Sequence, residues 1–337
     1  MNAGELVLDP DQPIIDAHHH LYIRPDIRYL PQDFLSDVQS GHNIRATVFV
    51  QARGFYREQG PETYQPIGET EFAASVAKKC EDVAGPKLCA AIVGYADLLL
   101  GESVRPVLEA HMAAGKSHFR GLRHILAWDA DPQLLNPAYS TGEDMMATTA
   151  FKGGFAQLAT LGLSFDAWLL FPQIPQLVAL ARRFPETQIV LNHCGGVLGI
   201  GRYADSRQET FELWRKNMAE LASCPNVCVK LGGLGMALSG LGFDRSLRET
   251  SSEELASAWR PWIQTCIELF GAKRCMFESN FPADKPSYSY RNGWNAMKIL
   301  ARGLSTTERH AAFYGSAAQF YRLDQQLDAD FRNTVVE

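Results

Sequence analysis

The chain has no apolar run long enough to cross a membrane, for which about 20 consecutive apolar residues are needed. It has no excess of basic residues: 32 Lys and Arg stand against 38 Asp and Glu, a net charge of −6. That balance leaves no electrostatic footprint for nucleic acid, and no basic run suggests a membrane surface. Its seven cysteines lack the spacing of a disulfide framework. Cys224 and Cys228 are the closest pair, Pro225-Asn226 between them reads as a turn entering a strand, and no second pair completes a zinc site. Buried thiols in a reducing cytoplasm are the expectation. Met1 to Gln12 are polar and acidic, unlike a signal peptide. Low-complexity segments and sequence repeats are also missing.

What is there describes a globular chain with a full core: 337 residues, 46% hydrophobic and 21% charged. Eight β-like runs alternate with helical patterns: Ile14–His20, Arg45–Ala52, Leu88–Asp97, Phe119–Leu126, Leu163–Leu170, Gln188–Cys194, Val227–Gly232 and Arg274–Phe281. Several, such as Ala46-Thr47-Val48-Phe49-Val50, are apolar on both faces, as buried parallel strands are. The helical patterns include Glu69–Cys80, Val104–Ala114, Ile174–Phe184, Phe211–Ser223, Ser252–Phe270 and Ser305–Phe320. Ser251-Ser252-Glu253-Glu254 reads as an N-cap with an acidic first turn, and Pro261 is expected to kink or divide the helix that follows. Eight such units without a linker predict an α/β fold, a single-domain (β/α)8 TIM barrel, rather than a doubly wound sheet. The barrel is expected over residues 13–323, with an extension of residues 1–12 and a tail of residues 324–337. Active sites of such barrels lie at the C-terminal ends of the strands.

Asp16-Ala17-His18-His19-His20 closes the first run. On a regular strand alternate side chains share a face, so Asp16, His18 and His20 are expected together and His19 opposite. Two imidazoles aimed at one point suit a divalent metal or a polarised carbonyl. A histidine-rich strand end or an expression tag is the plainer account, but the run lies within an apolar strand pattern and lacks six consecutive histidines. The second run ends at Gln51-Ala52-Arg53, and the long loop Gly54–Gly68 after it, with Tyr56, Arg57, Glu62 and Tyr64, is expected to cover the site. The fourth run contains Arg120 and Gly121-Leu122-Arg123-His124. A guanidinium there is suited to grip a carboxylate through two hydrogen bonds, although a surface ion pair accounts for each arginine equally well.

Asp166 lies in the apolar run Leu163–Trp168, where an acid must be paired, hydrogen-bonded or functional. His193, in Leu191-Asn192-His193-Cys194-Gly195-Gly196, is expected level with the first-strand pair. Lys230 follows an apolar run and either sits buried or snorkels to water. Glu278 and Asn280 share a face, about 7 Å apart along the eighth strand. Glu278 is the best buried carboxylate for a base, and Asp284 lies in the loop just beyond. The glycine clusters Gly195–Gly201 and Gly232–Gly235 match no phosphate-binding fingerprint and read as mobile barrel loops.

Taken together, Asp16–His20, Gly121–His124, Leu191–Gly196, Val229–Gly233 and Phe277-Glu278-Ser279-Asn280-Phe281-Pro282 resemble the amidohydrolase-2 family over residues 13–323. The set is specific for the family and weak for substrate. Its members include lactonases acting on 2-pyrone-4,6-dicarboxylate and on sugar lactones such as fuconolactone, and more distantly zinc-dependent decarboxylases of aromatic acids. The resemblance implies that His18, His20 and His193 are active-site histidines and that Arg123 meets a substrate carboxylate. Relatives commonly end the eighth strand in Ser-Asp-Trp-Pro, whereas this chain has Asn280 in place of that Asp and Glu278 two residues earlier.

The leading expectation is therefore a cytoplasmic hydrolase that opens a lactone or similar cyclic ester carrying a carboxylate. Glu278 or Asp284 would activate water. His18, His20 and His193 would polarise the carbonyl, directly or through one divalent ion, zinc or manganese. Arg53, Arg120 or Arg123 would hold the carboxylate, with Tyr56, His124, Asp166, Trp168, Lys230 and Asn280 around the substrate. One alternative is a metal-dependent non-oxidative decarboxylase of an aromatic or unsaturated acid. The other is a catalytically silent barrel that binds an acidic metabolite, which Asn280 favours. Partners are expected to be a small anionic molecule and at most a second copy in a homodimer. The loops Gly54–Gly68 and Leu231–Arg260 are expected to decide the substrate.

Overall fold

The computed structural model describes residues 5–81 and 83–323. Residues 1–4 of the expected extension and the whole expected tail lie outside the described residues. Eight strands form one parallel sheet in sequential order. They are β1 (Pro13–His19), β2 (Asn43–Val50), β3 (Lys87–Gly94), β4 (Phe119–Ile125), β5 (Ser164–Trp168), β6 (Ile189–Leu191), β7 (Val227–Leu231) and β8 (Cys275–Phe277). A helix follows each: α1 (Pro31–Val38), α2 (Ile67–Glu81), α3 (Arg105–Gly115), α4 (Thr149–Thr160), α5 (Ile174–Arg183), α6 (Arg207–Ala222), α7 (Ser252–Phe270) and α8 (Tyr290–Leu300). The sheet closes just past the end of β8. There Asn280 N–H donates to His18 C=O (2.9 Å) and His20 N–H to Phe281 C=O (2.7 Å). The single-domain (β/α)8 barrel expected from the alternation is what the chain forms.

Helix α4 escaped the sequence patterns because Gly153-Gly154 lowers its intrinsic propensity. Packing explains the glycine: a Cβ at Gly154 would lie 2.3 Å from the Leu98 carbonyl oxygen. Pro261 neither divides nor ends α7, which runs through it from a Ser251/Glu254 capping box. The buried face of Leu255, Trp259, Trp262 and Ile263 outweighs the lost intrahelical bond. All seven cysteines are free; five are buried, but Cys80 and Cys228 are only half-buried. Among the described residues no helix is long and apolar enough to cross a membrane.

Two apolar cores result. The larger lies between strands and helices. The smaller includes the period-2 residues Ala46, Val48 and Val50 of β2 and continues into Tyr314, Ala317 and Tyr321 of the C-terminal segment. This segment closes the N-terminal end of the barrel. Arg120, second residue of β4, donates from Nε to the Tyr321 carbonyl oxygen (2.7 Å) and from Nη2 to that of Arg322 (3.4 Å). Arg120 was expected to meet a substrate carboxylate; it is tied to the barrel floor instead. Replacing Arg120 by Ala should lower the unfolding free energy by about 1.5–3 kcal/mol, the range for hydrogen bonds to a charged group, as read from denaturant midpoints.

Candidate active site

Strand β1 does not alternate regularly. Asp16 pairs with Thr47 but His19 with Phe49, so β1 places one extra residue opposite β2. Such a bulge turns the following side chains over. Asp16 accordingly faces away from His18, contrary to the regular-strand expectation. It accepts hydrogen bonds from Ser279 Oγ (2.6 Å), Ser279 N–H (2.9 Å) and Tyr290 OH (3.0 Å). Burial still pushes its carboxyl up to about 6. His19 also points outward, stacked on Phe34 at 4.0 Å and bonded to Thr47 Oγ1 (2.9 Å).

His18 and His20 meet inside the barrel mouth, with their Nε2 atoms 3.2 Å apart. His20 Nδ1 lies 2.7 Å from the Val50 carbonyl oxygen. That oxygen can only accept, so His20 Nδ1 carries the proton and its Nε2 is a lone pair when the ring is neutral. His193 enters from the end of β6 with φ 57. Glu278, at the end of β8, bridges two of the rings. Its Oε1 lies 2.7 Å from His193 Nδ1, and its Oε2 lies 3.1 Å from His18 Nδ1. Oε1 also accepts the His193 backbone N–H (3.1 Å). Burial lowers the pKa of all three histidines, opposed at His193 by the Glu278 charge.

The glycine pair after β7 makes this arrangement sterically feasible. A Cβ at Gly232 would lie 2.4 Å from Glu278 Cγ, and one at Gly233 (φ +67) 2.4 Å from His193 Cβ. Gly232 and Gly233 are close-packed spacers rather than a mobile loop.

Beneath the histidines Lys230 and Asp166 form a fully buried ion pair at 2.6 Å. Asp166 also accepts from Asn192 Nδ2 (3.1 Å) and Tyr321 OH (3.0 Å). Lys230 Nζ reaches His18 Nδ1 at 3.3 Å. Arg123 is buried, with Nη1 3.3 Å from His18 Nε2 and Nη2 bonded to the Gln51 carbonyl. Asp284 stands behind Asn280, accepting from Asn280 Nδ2 (2.8 Å), Tyr288 OH (2.7 Å) and Gly235 N–H (3.1 Å). Burial pushes it up to about 7. Trp168 packs edge-on against His193 at 4.7 Å.

Beside the cluster, on the β2–β4 side, opens a cavity of about 580 Å³. Gln51, Arg53, Tyr56 and His124 line it, as does the loop after β2 through Glu62 and Gln65. Burial lowers the His124 pKa to about 4. Tyr95, Asp97 and Tyr139 also line it, and sequence reasoning missed all three because nothing in their local pattern marks them. The expected second specificity loop, Leu231–Arg260, contributes no lining residue among those described; Ala138-Tyr139-Ser140 after β4 take that place. Of the expected site residues, the structure brings Glu278, His18, His20, His193, Arg123, Asp166 and Lys230 together, with Trp168 against His193. Arg53, Tyr56 and His124 lie at the cavity, Asn280 and Asp284 form a neighbouring pair, and Arg120 is at the far end.

The sequence profile of the amidohydrolase family matches residues 15–323. The chain belongs to the amidohydrolase family. It is an enzyme of the hydrolase class. The uncharacterized protein y4mH of Sinorhizobium fredii is 33% identical, over 93% of this chain and 99% of that one. An L-fucono-1,5-lactonase of Burkholderia multivorans is 26% identical, over 94% and 98%. A solved amidohydrolase structure from Burkholderia multivorans with bound zinc has a TM-score of 0.69 at 25% identity, covering 92% of this chain and 99% of that chain.

The residues of this amidohydrolase fit a divalent ion. The Nε2 atoms of His18 and His20 face each other at 3.2 Å, the Val50 carbonyl braces His20 from its Nδ1 side, and His18, His193 and Glu278 present ligand atoms within 4.8 Å of one another. A bound ion would replace the Arg123 contact with His18 Nε2. Protein purified without chelator and without a histidine tag should carry close to one zinc or manganese per chain by elemental analysis. His20→Ala should lose it, and metal-free wild-type protein from metal-supplemented cells would count against the site.

Proposed function

We propose that this amidohydrolase opens a lactone or similar cyclic ester by adding water to its carbonyl. The observation that carries the reading is the His193–Glu278 pair. Glu278 holds Nδ1–H at 2.7 Å, which leaves the Nε2 lone pair of a neutral imidazole free to accept a proton. The sequence pointed to Glu278 or Asp284 as the base. Both oxygens of Glu278 face imidazoles, and those of Asp284 are engaged by Asn280, Tyr288 and Gly235. Glu278 is therefore assigned the orienting role and His193 the base. The fucono-lactonase relative, aligned over nearly both full lengths, supports the lactone as substrate class.

In this mechanism His193 removes a proton from water as its oxygen attacks the lactone carbonyl carbon. As the ring C–O bond breaks, His193 returns that proton to the departing ring oxygen, and a hydroxy acid results. Arg123 and Lys230 place positive charge on both sides of His18, which favours the negative charge developing on the carbonyl oxygen. A divalent ion held by His18 and His20 supplies, when bound, a Lewis acid for that oxygen.

Glu278→Gln should lower kcat by about 10²–10⁴-fold, the usual range for a disabled general base. Proton release from L-fucono-1,5-lactone and other aldonolactones in a pH-stat measures this, with a melting curve to verify the fold. Full turnover by that variant would reject the assigned dyad.

A further inference from the structure

The turn after β2 contains a device that the chemistry at His193 does not use. Arg53 has φ 59, in the left-handed region that is unfavourable for a residue with a Cβ. A single buried carboxylate holds it there. Glu69 Oε1, on the first turn of α2, accepts the N–H of Ala52 (2.8 Å) and of Gly54 (2.9 Å), one on each side of Arg53. Glycine would take this conformation without strain, so the strain is the consequence of keeping a side chain at position 53. That side chain is exposed and adds no core contact.

The guanidinium stands over the Tyr139 ring, 5.4 Å from its centroid, at the wall of the 580 Å³ cavity. Among the described residues it makes no hydrogen bond and no ion pair. It is the one Arg or Lys among the cavity's lining residues. Arg123 is committed to Gln51 and His18, and Arg120 to the barrel floor. Of the lining acids, Asp97 caps the Leu99 N–H (2.9 Å) and Glu62 is exposed at the rim. Tyr56, Tyr95 and Tyr139 offer flat walls for a ring. Arg53 and Gln51 both line this cavity. The buried Gln51 amide has no partner for either polar atom among the described residues.

We propose that Arg53, held in its left-handed turn by Glu69, is the specificity residue that selects lactones carrying a carboxylate over neutral ones. This rests on the lactone reading of the site. Arg53 touches the substrate; Glu69 is a positioning residue.

The test compares an aldonolactone with the aldarolactone that carries a carboxylate in place of its terminal hydroxymethyl group, together with binding of isophthalate, a planar dianion, by calorimetry. Wild-type enzyme should favour the aldarolactone at least tenfold in kcat/KM. Arg53→Gln should raise KM for the aldarolactone about 10–100-fold, as expected for loss of a charge-assisted pair. It should leave its kcat and both constants for the aldonolactone nearly unchanged, and it should weaken isophthalate binding by a similar factor. Glu69→Ala should reproduce the KM effect, and Glu69→Gln, which keeps the acceptor oxygen, should restore it. Equal kinetics of wild-type and Arg53→Gln on both lactones would overturn the inference and leave lactone hydrolysis standing. If neither lactone turns over, the lactone reading fails, and isophthalate then decides on Arg53 alone: binding lost in Arg53→Gln supports an anion subsite, and binding unchanged or absent overturns it.

Discussion

The Lys230–Asp166 ion pair is the constraint around which the barrel interior is built. Two charges with no solvent exposure are expensive to desolvate, and their attraction offsets that penalty only with good geometry and further hydrogen bonds. The additional bonds come from all round the barrel. Tyr321 rises from the C-terminal segment, Asn192 reaches across from the end of β6, and Lys230 extends to His18 on β1. One electrostatic unit thus joins the floor of the barrel to the histidines at its mouth. Severing it on either side would leave a buried charge without a partner.

Above that unit, Glu278 holds His193. An isolated histidine at a barrel mouth has two ring nitrogens and free choice of tautomer. The Glu278 carboxylate against Nδ1 of His193 and the Val50 carbonyl against that of His20 narrow this choice for two of the three rings. His193 against Glu278 resembles a base oriented by a carboxylate, and His18 and His20 form the imidazole pair beside it. Gly232 and Gly233 let the β7 backbone approach Glu278 and His193 closely enough for the bridge to exist.

The mouth of the barrel divides labour between its two sides. The histidine side is almost sealed, which suits charge chemistry in a low dielectric. The β2–β4 side is open and lined by tyrosines with a single arginine. Asn280, just past the end of β8, donates to Asp284. The carboxylate that faces the histidines from this strand end is that of Glu278.

Much of this was legible in the chain itself. Alternating β-like runs and helical patterns determined the barrel, because burial on both faces of parallel strands demands continuous apolar runs. The strand ends pointed to His18, His20, His193 and Glu278, because this fold exposes its chemistry there. Other features belonged to tertiary structure alone. The bulge in β1 separated Asp16 from His18, since pairing register depends on a neighbouring strand that local alternation does not contain. Arg120 and Arg123 look equivalent in sequence, but they sit at different depths along one strand, so one ties down the floor and the other reaches His18. The cavity wall formed by Tyr95, Asp97 and Tyr139 came from loops whose positions no periodicity encodes. Residue types and their spacing determined which chemistry this protein carries. Register and loop packing, which depend on contacts distant in sequence, decided which of those groups meet at the barrel mouth.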